Sequence, residues 1–383
     1  LFDYDMLSEA RSLKLLIKGK YIDFPITAKG VFTKIGLLFG LKAFLSFIWQ
    51  RFTSLFREDE NEKYRTFEDW AIKNYGKFIY KSFFGPYTEK VWNIPCDELS
   101  PDIIPPHTRK NHINKFRQSL KIKLNNDEMM NVKRDVTGTY YPRSGFGEIA
   151  EKLANIIVEN GVKIKTNCSV NSIKLNENNT FEVNYGNGTL RSDYLISTIT
   201  PKTFINMINP APPIEIINSA NELKTLGLLV FGMVTKKQKI LSDSGIYLTE
   251  CFFNRLTETN EFHLETSPKG LNILVAEIPC VVGGKIWNMD PEAIFDKCIQ
   301  DLTNRNILNR DEVVDIMLNK ASDAYSVLNK DYVNSKKIVM KYIEDQKNMY
   351  ALGRTGEFVY RDTDMCMRSA FDLADKLISK VEQ

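Results

Sequence analysis

The chain of 383 residues is 43% hydrophobic and 26% charged, the composition of a globular protein with room for more than one domain. Its net charge of +3, from 51 basic and 48 acidic residues, argues against a broadly basic nucleic-acid-binding surface. The six cysteines contain no C-x-x-C pair and the three histidines no metal-ligand spacing, so we expect no metal centre and a reduced, cytoplasmic setting.

The N-terminal segment has a polar part and an apolar part. We predict a capped helix, then a short hairpin or extended strand over Lys18–Ile26. Residues 31–49 are the most apolar stretch, but Lys34 and Lys42 interrupt it, so it cannot span a membrane. Because these lysines fall roughly on one helical side, we predict an amphipathic helix in the core or in a lid. The alternative is a helix that docks on a membrane surface.

An aromatic cluster follows the next predicted helix. Thr66 with Asp69 three residues later is typical of a helix N-terminus, and this helix is predicted to run to Phe84. Tyr87 and Trp92 follow in a stretch that contains proline and glycine. Aromatic clusters usually belong to a core, but a Pro/Gly-rich loop is an unusual place for one. A ligand-stacking role is therefore the alternative.

The central part of the chain has the pattern of an α/β sheet. Residues 102–137 are predicted to be helical and then loop-like. We then predict a helix over Ile149–Asn160, a strand over Val162–Lys165, an antiparallel meander, and a buried parallel strand within Asp193–Pro201. This order indicates a doubly wound sheet with an antiparallel insert. Ligands in such sheets bind beyond the carboxyl ends of the strands, where Thr198 lies.

Residues 203–344 are predicted to form a second, mostly β domain with flanking helices. Alternating apolar residues predict strands over Leu226–Val234, Gly245–Leu248 and Asn272–Glu277. A helical pattern covers Glu292–Arg305. The sequence contains no internal repeat and no low-complexity tract.

The C-terminal stretch combines a strand, a polar turn and a helix. We predict a strand over Asn348–Leu352 and a helix over Asp364–Val381, joined by a turn that contains Arg354 and Tyr360. Such a corner can form an anion or cofactor site, because glycine lets backbone approach a ligand and a helix start offers free N–H groups. The alternative is an ordinary strand–loop–helix corner at the end of a domain.

Four stretches, taken in this order, resemble the FAD-dependent amine oxidase and protoporphyrinogen oxidase-like superfamily, and most closely its branch with UDP-galactopyranose mutase. They are Phe84–Trp92, Tyr141–Gly147, Val162–Pro201 and Gly353–Asp364. The resemblance implies an α/β (mixed α+β) fold: a partial FAD-binding doubly wound sheet, a β-rich substrate domain and a helical lid segment. The implied domains are a helical substrate or lid segment at 1–140, the FAD-binding domain at 141–202 and 345–383, and the β-rich substrate domain at 203–344.

The resemblance also implies roles for individual residues. Those expected to bind FAD are Val170, Thr198, Pro201, Gly353, Arg354, Asp362, Thr363, Asp364 and Met365. Those expected to bind substrate are Phe84, Tyr87, Trp92, Tyr325 and Tyr360. Arg354 and Tyr360 are expected to act beside the flavin, since a guanidinium and phenols suit a diphosphate and aromatic rings suit a flat base.

Two features depart from the family pattern. The family begins with a G-x-G-x-x-G turn that cradles the FAD diphosphate, and no such motif occurs in the 383 residues. Since residue 1 is Leu, we expect that an N-terminal dinucleotide-binding unit has been cut away; a chain that genuinely lacks the unit is the alternative. Tyr141–Gly147 resembles the oxidase branch rather than the mutase branch, which leaves the substrate open.

The expected function is that of an FAD-dependent oxidoreductase or mutase-like enzyme acting on a sugar nucleotide or polysaccharide precursor. One alternative is an amine or porphyrinogen-type oxidase. Another is a non-catalytic fragment or subunit completed by a second chain. We expect a small-molecule substrate, no nucleic acid partner, and a cytoplasmic location with membrane contact through residues 31–49 as the less favoured option.

Overall fold

The computed structural model describes residues 6–9, 13–17, 19–24, 30–54, 64–104, 139–186, 188–261 and 266–381. Within them the chain forms a seven-stranded sheet, a four-stranded sheet and two pairs of strands, with helices packed around them. This architecture confirms the mixed α/β class. Of the segment predicted to be helix and loop at 102–137, only the first three residues are described.

The elements are numbered in chain order. The strands are β1 (Met6–Glu9), β2 (Leu13–Ile17), β3 (Lys20–Phe24), β4 (Thr139–Pro142), β5 (Val170–Leu175), β6 (Phe181–Tyr185), β7 (Gly188–Ser192), β8 (Leu195–Ser197), β9 (Ile208–Asn209), β10 (Thr225–Thr235), β11 (Gly245–Leu248), β12 (Arg255–Glu258), β13 (Asn272–Cys280), β14 (Val313–Ser326) and β15 (Met349–Ala351). The helices are α1 (Leu37–Ser54), α2 (Phe67–Tyr75), α3 (Lys77–Ile79), α4 (Gly85–Trp92), α5 (Gly147–Glu159), α6 (Pro201–Asn206), α7 (Ile214–Glu222), α8 (Pro291–Thr303), α9 (Tyr332–Asp345), α10 (Gly353–Gly356) and α11 (Thr363–Val381), with π-helical turns at Val31–Ile35 and Tyr80–Phe84.

The seven-stranded sheet runs in the order β14-β10-β13-β12-β11-β2-β3. Alternate residues of β13 are buried, as expected for a strand with one face on the core. That core includes Leu229 of β10, Leu274 of β13 and Ile294 of α8, and each such side chain contributes about 1.5–3 kcal/mol when it is buried. The opposite face carries a cross-strand pair, Arg255 and Glu277.

A second core joins the two parallel strands β15 and β8 to the meander β5-β6-β7 and to the helices around them. Phe204, Val339 and Phe358 are fully or almost fully buried in this core. β15 pairs with β8 on one side, and among the described residues no strand pairs with its other edge. A cleft of about 640 Å³ borders β15 between α9 and α11.

Several local predictions are confirmed. The Thr66 hydroxyl accepts the Asp69 N–H at 3.1 Å and caps α2. Gly161 has a φ of +85° and ends the turn after α5. The strands predicted at Leu226–Val234, Gly245–Leu248 and Asn272–Glu277 form β10, β11 and β13, and the predicted C-terminal helix is α11.

Four local predictions are wrong. The first described residues form β1 and β2 rather than a helix, because β2 pairs in parallel with the distant β11. The helix predicted to run to Phe84 breaks at Gly76, whose φ is +83° and where a Cβ would lie 3.0 Å from the Phe47 backbone nitrogen. The stretch with Tyr87 and Trp92 is helix α4, with proline in its first turn, and not a loop. Val162–Lys165 forms no strand.

The apolar segment at 31–49 forms a π-helical turn and then α1, as the helix prediction requires. Phe39 and Ala43 bury one face of α1 in a small core with Phe83, and Phe47 on the same face is also buried. No helix in the described ranges is both long and apolar enough to cross a bilayer.

Candidate functional site

The carboxyl ends of β8 and β15 meet at one edge of the parallel pair. Ala351 stands opposite Ser197, and the Leu352 N–H donates to the Ser197 carbonyl at 2.9 Å. The turn after β15 packs on β8 so closely that a Cβ at Gly356 would lie 2.7 Å from the Ser197 carbonyl oxygen. The C-terminal polar turn therefore lies beside the end of β8, where ligands of parallel sheets bind.

Two local features fit a polar ligand group at this edge. Gly353 has a φ of +80°, and no atom lies within 4 Å of the position its Cβ would take. The Ser197 hydroxyl is buried, and it has no hydrogen-bond partner in the part of the chain that the structure describes. Because buried polar groups are nearly always paired, the unpaired hydroxyl of Ser197 and the open space at Gly353 each fit a cofactor arm bound at this edge.

Arg354 lies against two tyrosine rings. Its Cζ is 4.2 Å from the centroid of the Tyr360 ring and 5.5 Å from that of Tyr325. Trp92 meets the same two rings edge-on, at centroid distances of 5.7 Å to Tyr325 and 5.9 Å to Tyr360. The fold thus brings together four of the predicted site residues, from α4, β14 and the C-terminal turn.

The charge of Arg354 is not neutralised by an acid. No salt bridge joins it to a carboxylate among the described residues, whereas the nearby Arg361 is paired with Glu357 and donates to the Ser369 hydroxyl at 2.7 Å. A planar guanidinium stacked on aromatic rings and free of acidic partners suits a phosphate or a carboxylate.

Tyr87 belongs to a second group of side chains next to the first. Its ring stacks on Phe83 at 5.5 Å and meets Tyr247 edge-on at 5.5 Å. Arg255 follows on the neighbouring strand and donates through Nη2 to Glu277. The Nε of Arg255 is buried and has no hydrogen-bond partner within the described ranges.

The Arg255–Glu277 pair acts electrostatically on both aromatic groups. Burial raises the pKa of Tyr325 to about 12, and the negative charge of Glu277 adds to the shift. Burial also raises the pKa of Tyr87, with a smaller contribution from Tyr247. Both phenols therefore stay protonated at neutral pH and can donate hydrogen bonds.

Sequence reasoning missed Tyr247, Arg255 and Glu277. Arg255 and Glu277 are 22 residues apart and meet only because β12 and β13 pair. The signal available in the sequence was Glu277, the one carboxylate in the mostly apolar strand Asn272–Cys280. A charge in such a strand is costly unless a partner faces it.

The other predicted substrate residue, Phe84, does not join either group. It is half-buried and packs on Tyr75 at 4.5 Å and on Phe83 at 5.3 Å. Its contacts are those of a residue that fixes the helix carrying Tyr87.

The remaining predicted FAD residues lie on three elements. Val170 begins β5 and is half-buried against the second core. Thr198 is exposed after β8, and Pro201 is buried at the start of α6. Residues 362–365 form the start of α11: Asp362, Thr363 and Asp364 are exposed and Met365 is half-buried.

Lys90 fixes α4, which carries both Tyr87 and Trp92, to the seven-stranded sheet. Four backbone carbonyls of the β11–β12 connection lie within hydrogen-bond distance of its ammonium, including Leu248 at 3.1 Å and Phe253 at 2.7 Å. Burial lowers the pKa of Lys90 to about 8. Lys90 therefore has a positioning role.

Comparison with known proteins gives a family and a fold. The model of the family "Flavin containing amine oxidoreductase" matches residues 106–317, more than half of the chain. No curated protein matches the chain.

Solved structures share the fold at low sequence identity. A reduced UDP-galactopyranose mutase superposes with a TM-score of 0.73 at 15% identity, over 94% of this chain and 75% of that one. A protein described as "Putative protoporphyrinogen oxidase" from Exiguobacterium sp. 255-15 gives a TM-score of 0.72 at 12% identity, over 100% and 83% of the two chains. A putrescine oxidase bound to putrescine gives 0.58 at 10% identity, over 98% and 82%.

Proposed function

The chain belongs to the family of flavin-containing amine oxidoreductases, with FAD as its cofactor, and from this premise we propose that it is an oxidoreductase or mutase-like enzyme whose substrate is an anionic small molecule of the sugar-nucleotide class. The proposal rests chiefly on one observation, the acid-free guanidinium of Arg354 among Trp92, Tyr325 and Tyr360. Support for the finer assignment to the mutase branch comes from the residues of this group and not from the overall fold.

Each side chain of the group has a chemical task in this proposal. Arg354 binds a phosphate oxygen pair through its planar fork, and the rings of Tyr325 and Tyr360 fix the plane of that fork. The Tyr325 phenol, whose pKa is raised to about 12, donates a further hydrogen bond to the same phosphates, and the Tyr360 hydroxyl supplies another donor. Trp92, with Tyr87 nearby on α4, supplies the aromatic surface that a nucleobase requires.

FAD would be held at the carboxyl ends of β8 and β15, by Ser197, Thr198, Gly353 and the start of α11. When bound, the flavin supplies the two-electron redox chemistry of the reaction. The chain's own residues bind and orient the substrate and donate hydrogen bonds to its phosphates. Pro201 and Val170 support this edge from neighbouring elements.

An amine substrate fits the charges less well. A protonated amine beside Arg354 would meet a like charge with no carboxylate in salt-bridge contact to offset it. Glu277 is the acidic group of the site, but Arg255 already neutralises it. Oxidation of an amine or a porphyrinogen is therefore the alternative function, which the experiment must exclude.

The test is a ligand comparison on the purified chain supplied with FAD. Bound flavin is followed by its visible absorbance, and UDP, a UDP-sugar and putrescine are titrated separately by calorimetry. We expect UDP and the UDP-sugar to bind and putrescine not to bind. Putrescine oxidation with peroxide release and no UDP binding would replace the proposal by an amine oxidase. Failure to retain FAD, with UDP binding also absent, would favour the non-catalytic fragment or subunit.

A further inference from the structure

Helix α1 has apolar side chains on both of its faces. Phe39, Ala43 and Phe47 are buried on one face. The opposite face is exposed, with Leu38 at 77% and Trp49 at 69% of their full accessibility. The exposed apolar residues of this face, which we call the α1 outer face, are Leu37, Leu38, Leu41, Phe44, Leu45, Ile48, Trp49 and Phe52.

The outer face is continuous along the helix. At about 100° per residue its members fall within an arc of roughly 140°, centred opposite the buried face. Isolated exposed apolar residues are normal on a protein, but a contiguous patch of this kind marks a surface that leaves water.

The sequence around the outer face is richer in cations than in acids. Between Asp23 and Glu58 it contains no acidic residue, while it contains Lys34, Lys42 and Arg51; Lys34 lies before α1 and is paired with Asp23 at 2.9 Å. On the helical projection Lys42 and Arg51 lie at the two margins of the outer face, each about 90° from its centre. Cations that border an apolar stripe place their charges in water or among anionic groups while their stems cover apolar surface.

We propose that the α1 outer face docks on an anionic lipid bilayer, with the helix lying in the plane of the headgroups. The eight apolar side chains enter the headgroup–acyl boundary, and Lys42 and Arg51 at its margins lie at the level of the lipid phosphates. The helix has 18 residues and so is about 27 Å long, but it is not long and apolar enough to cross the membrane. This inference does not depend on the proposed enzymatic function.

A second copy of the chain is a poorer occupant of the same face. Two such faces brought together would place lysine and arginine margins against each other. The helix offers no carboxylate to pair with them, because residues 24–57 contain none. A bilayer with anionic lipids supplies the opposite charge at the required depth.

The experiment uses the full chain and flotation with vesicles of phosphatidylcholine, with or without phosphatidylglycerol. We expect binding to the anionic vesicles, weaker binding to the neutral ones, and release from the anionic vesicles at high salt. The double variant Leu38→Glu, Leu45→Glu should lose at least about tenfold in vesicle partitioning, since it places two carboxylates in the apolar stripe and near anionic lipid.

The matched control is Ile214→Glu, Val314→Glu, which makes the same charge change at two exposed apolar positions on other elements. It should bind vesicles within about twofold of the wild type, and circular dichroism should show both double variants folded. Wild-type protein that stays with the soluble fraction would overturn the proposal. Equal loss in both double variants would do so too, as would a dimer by light scattering that only the Leu38→Glu, Leu45→Glu variant dissociates.

Discussion

Replacing Arg354 separates ligand binding from packing, because the same guanidinium serves both. Its two ring contacts, at 4.2 Å and 5.5 Å, are each worth about 0.5–1 kcal/mol at a partly exposed position. Arg354→Ala should therefore lower the free energy of unfolding by only about 1–2 kcal/mol. A charge-assisted bond to phosphate is worth about 1.5–3 kcal/mol, so the dissociation constant for UDP should rise by roughly 10- to 150-fold.

Arg354→Lys sharpens the comparison. It keeps the positive charge but loses the planar fork and the stacking on Tyr325 and Tyr360. The affinity of this variant for UDP should therefore be intermediate between those of the wild type and Arg354→Ala. Calorimetric titration at low salt measures the affinity, and urea unfolding measures stability. Arg191→Ala, at an exposed arginine of β7, is the control for nonspecific attraction of the anion.

The reasoning would be refuted if Arg354→Ala bound UDP as tightly as the wild type while losing stability, since Arg354 would then be a packing residue. It would equally be refuted if Arg191→Ala weakened binding by the same factor. Equal loss of UDP affinity in Arg354→Lys and Arg354→Ala would show that the retained positive charge contributes nothing to binding. That result would contradict the predicted order of affinities.

Three further substitutions test other parts of the argument. Because burial lowers the pKa of Lys90 to about 8 from 10.5, the folded protein binds fewer protons than the unfolded chain between these values. The difference in free energy of unfolding between wild type and Lys90→Met, measured in urea, should thus rise by about 1 kcal/mol from pH 8 to 9.5, after allowance for partial exposure. A difference that does not change with pH would contradict this prediction. Gly353→Ala should cost about 1–2 kcal/mol through its positive φ and weaken FAD retention, whereas Gly270→Ala, also at positive φ with open space around it, should leave FAD binding unchanged; equal FAD loss in both variants would count against a cofactor role for Gly353. Phe358→Ala should lower the free energy of unfolding by about 3–5 kcal/mol, since the ring is fully buried, and a loss below 1 kcal/mol by the same measurement would show that the second core does not depend on it.

Local signals in the sequence predicted the parts of the fold that local forces determine. The Thr66 cap and the turn at Gly161 depend on neighbouring residues only, and both are present. β2 was predicted as helix because a short apolar run fits either structure. β2 pairs with the adjacent β3 and also with β11, more than 200 residues away, and no local pattern carries the second pairing.

The residues of the candidate site likewise differ in whether the sequence alone could predict them. Arg354 and Tyr360 share one turn and could be proposed from that turn alone. Trp92 was a candidate from its aromatic cluster, whereas Tyr325 entered through the family resemblance. In the structure Arg354 lies over the Tyr325 ring, and Trp92 meets that ring edge-on. Glu277 could not be placed, since its role depends on which strand lies beside β13.

One edge of β15 pairs with β8, and within the described ranges no strand pairs with the other edge. Backbone amides on an open strand edge gain hydrogen bonds when another extended segment adds to them. A segment added there would slow hydrogen exchange at Met349–Ala351, so the exchange rate of these amides reports whether the edge is covered.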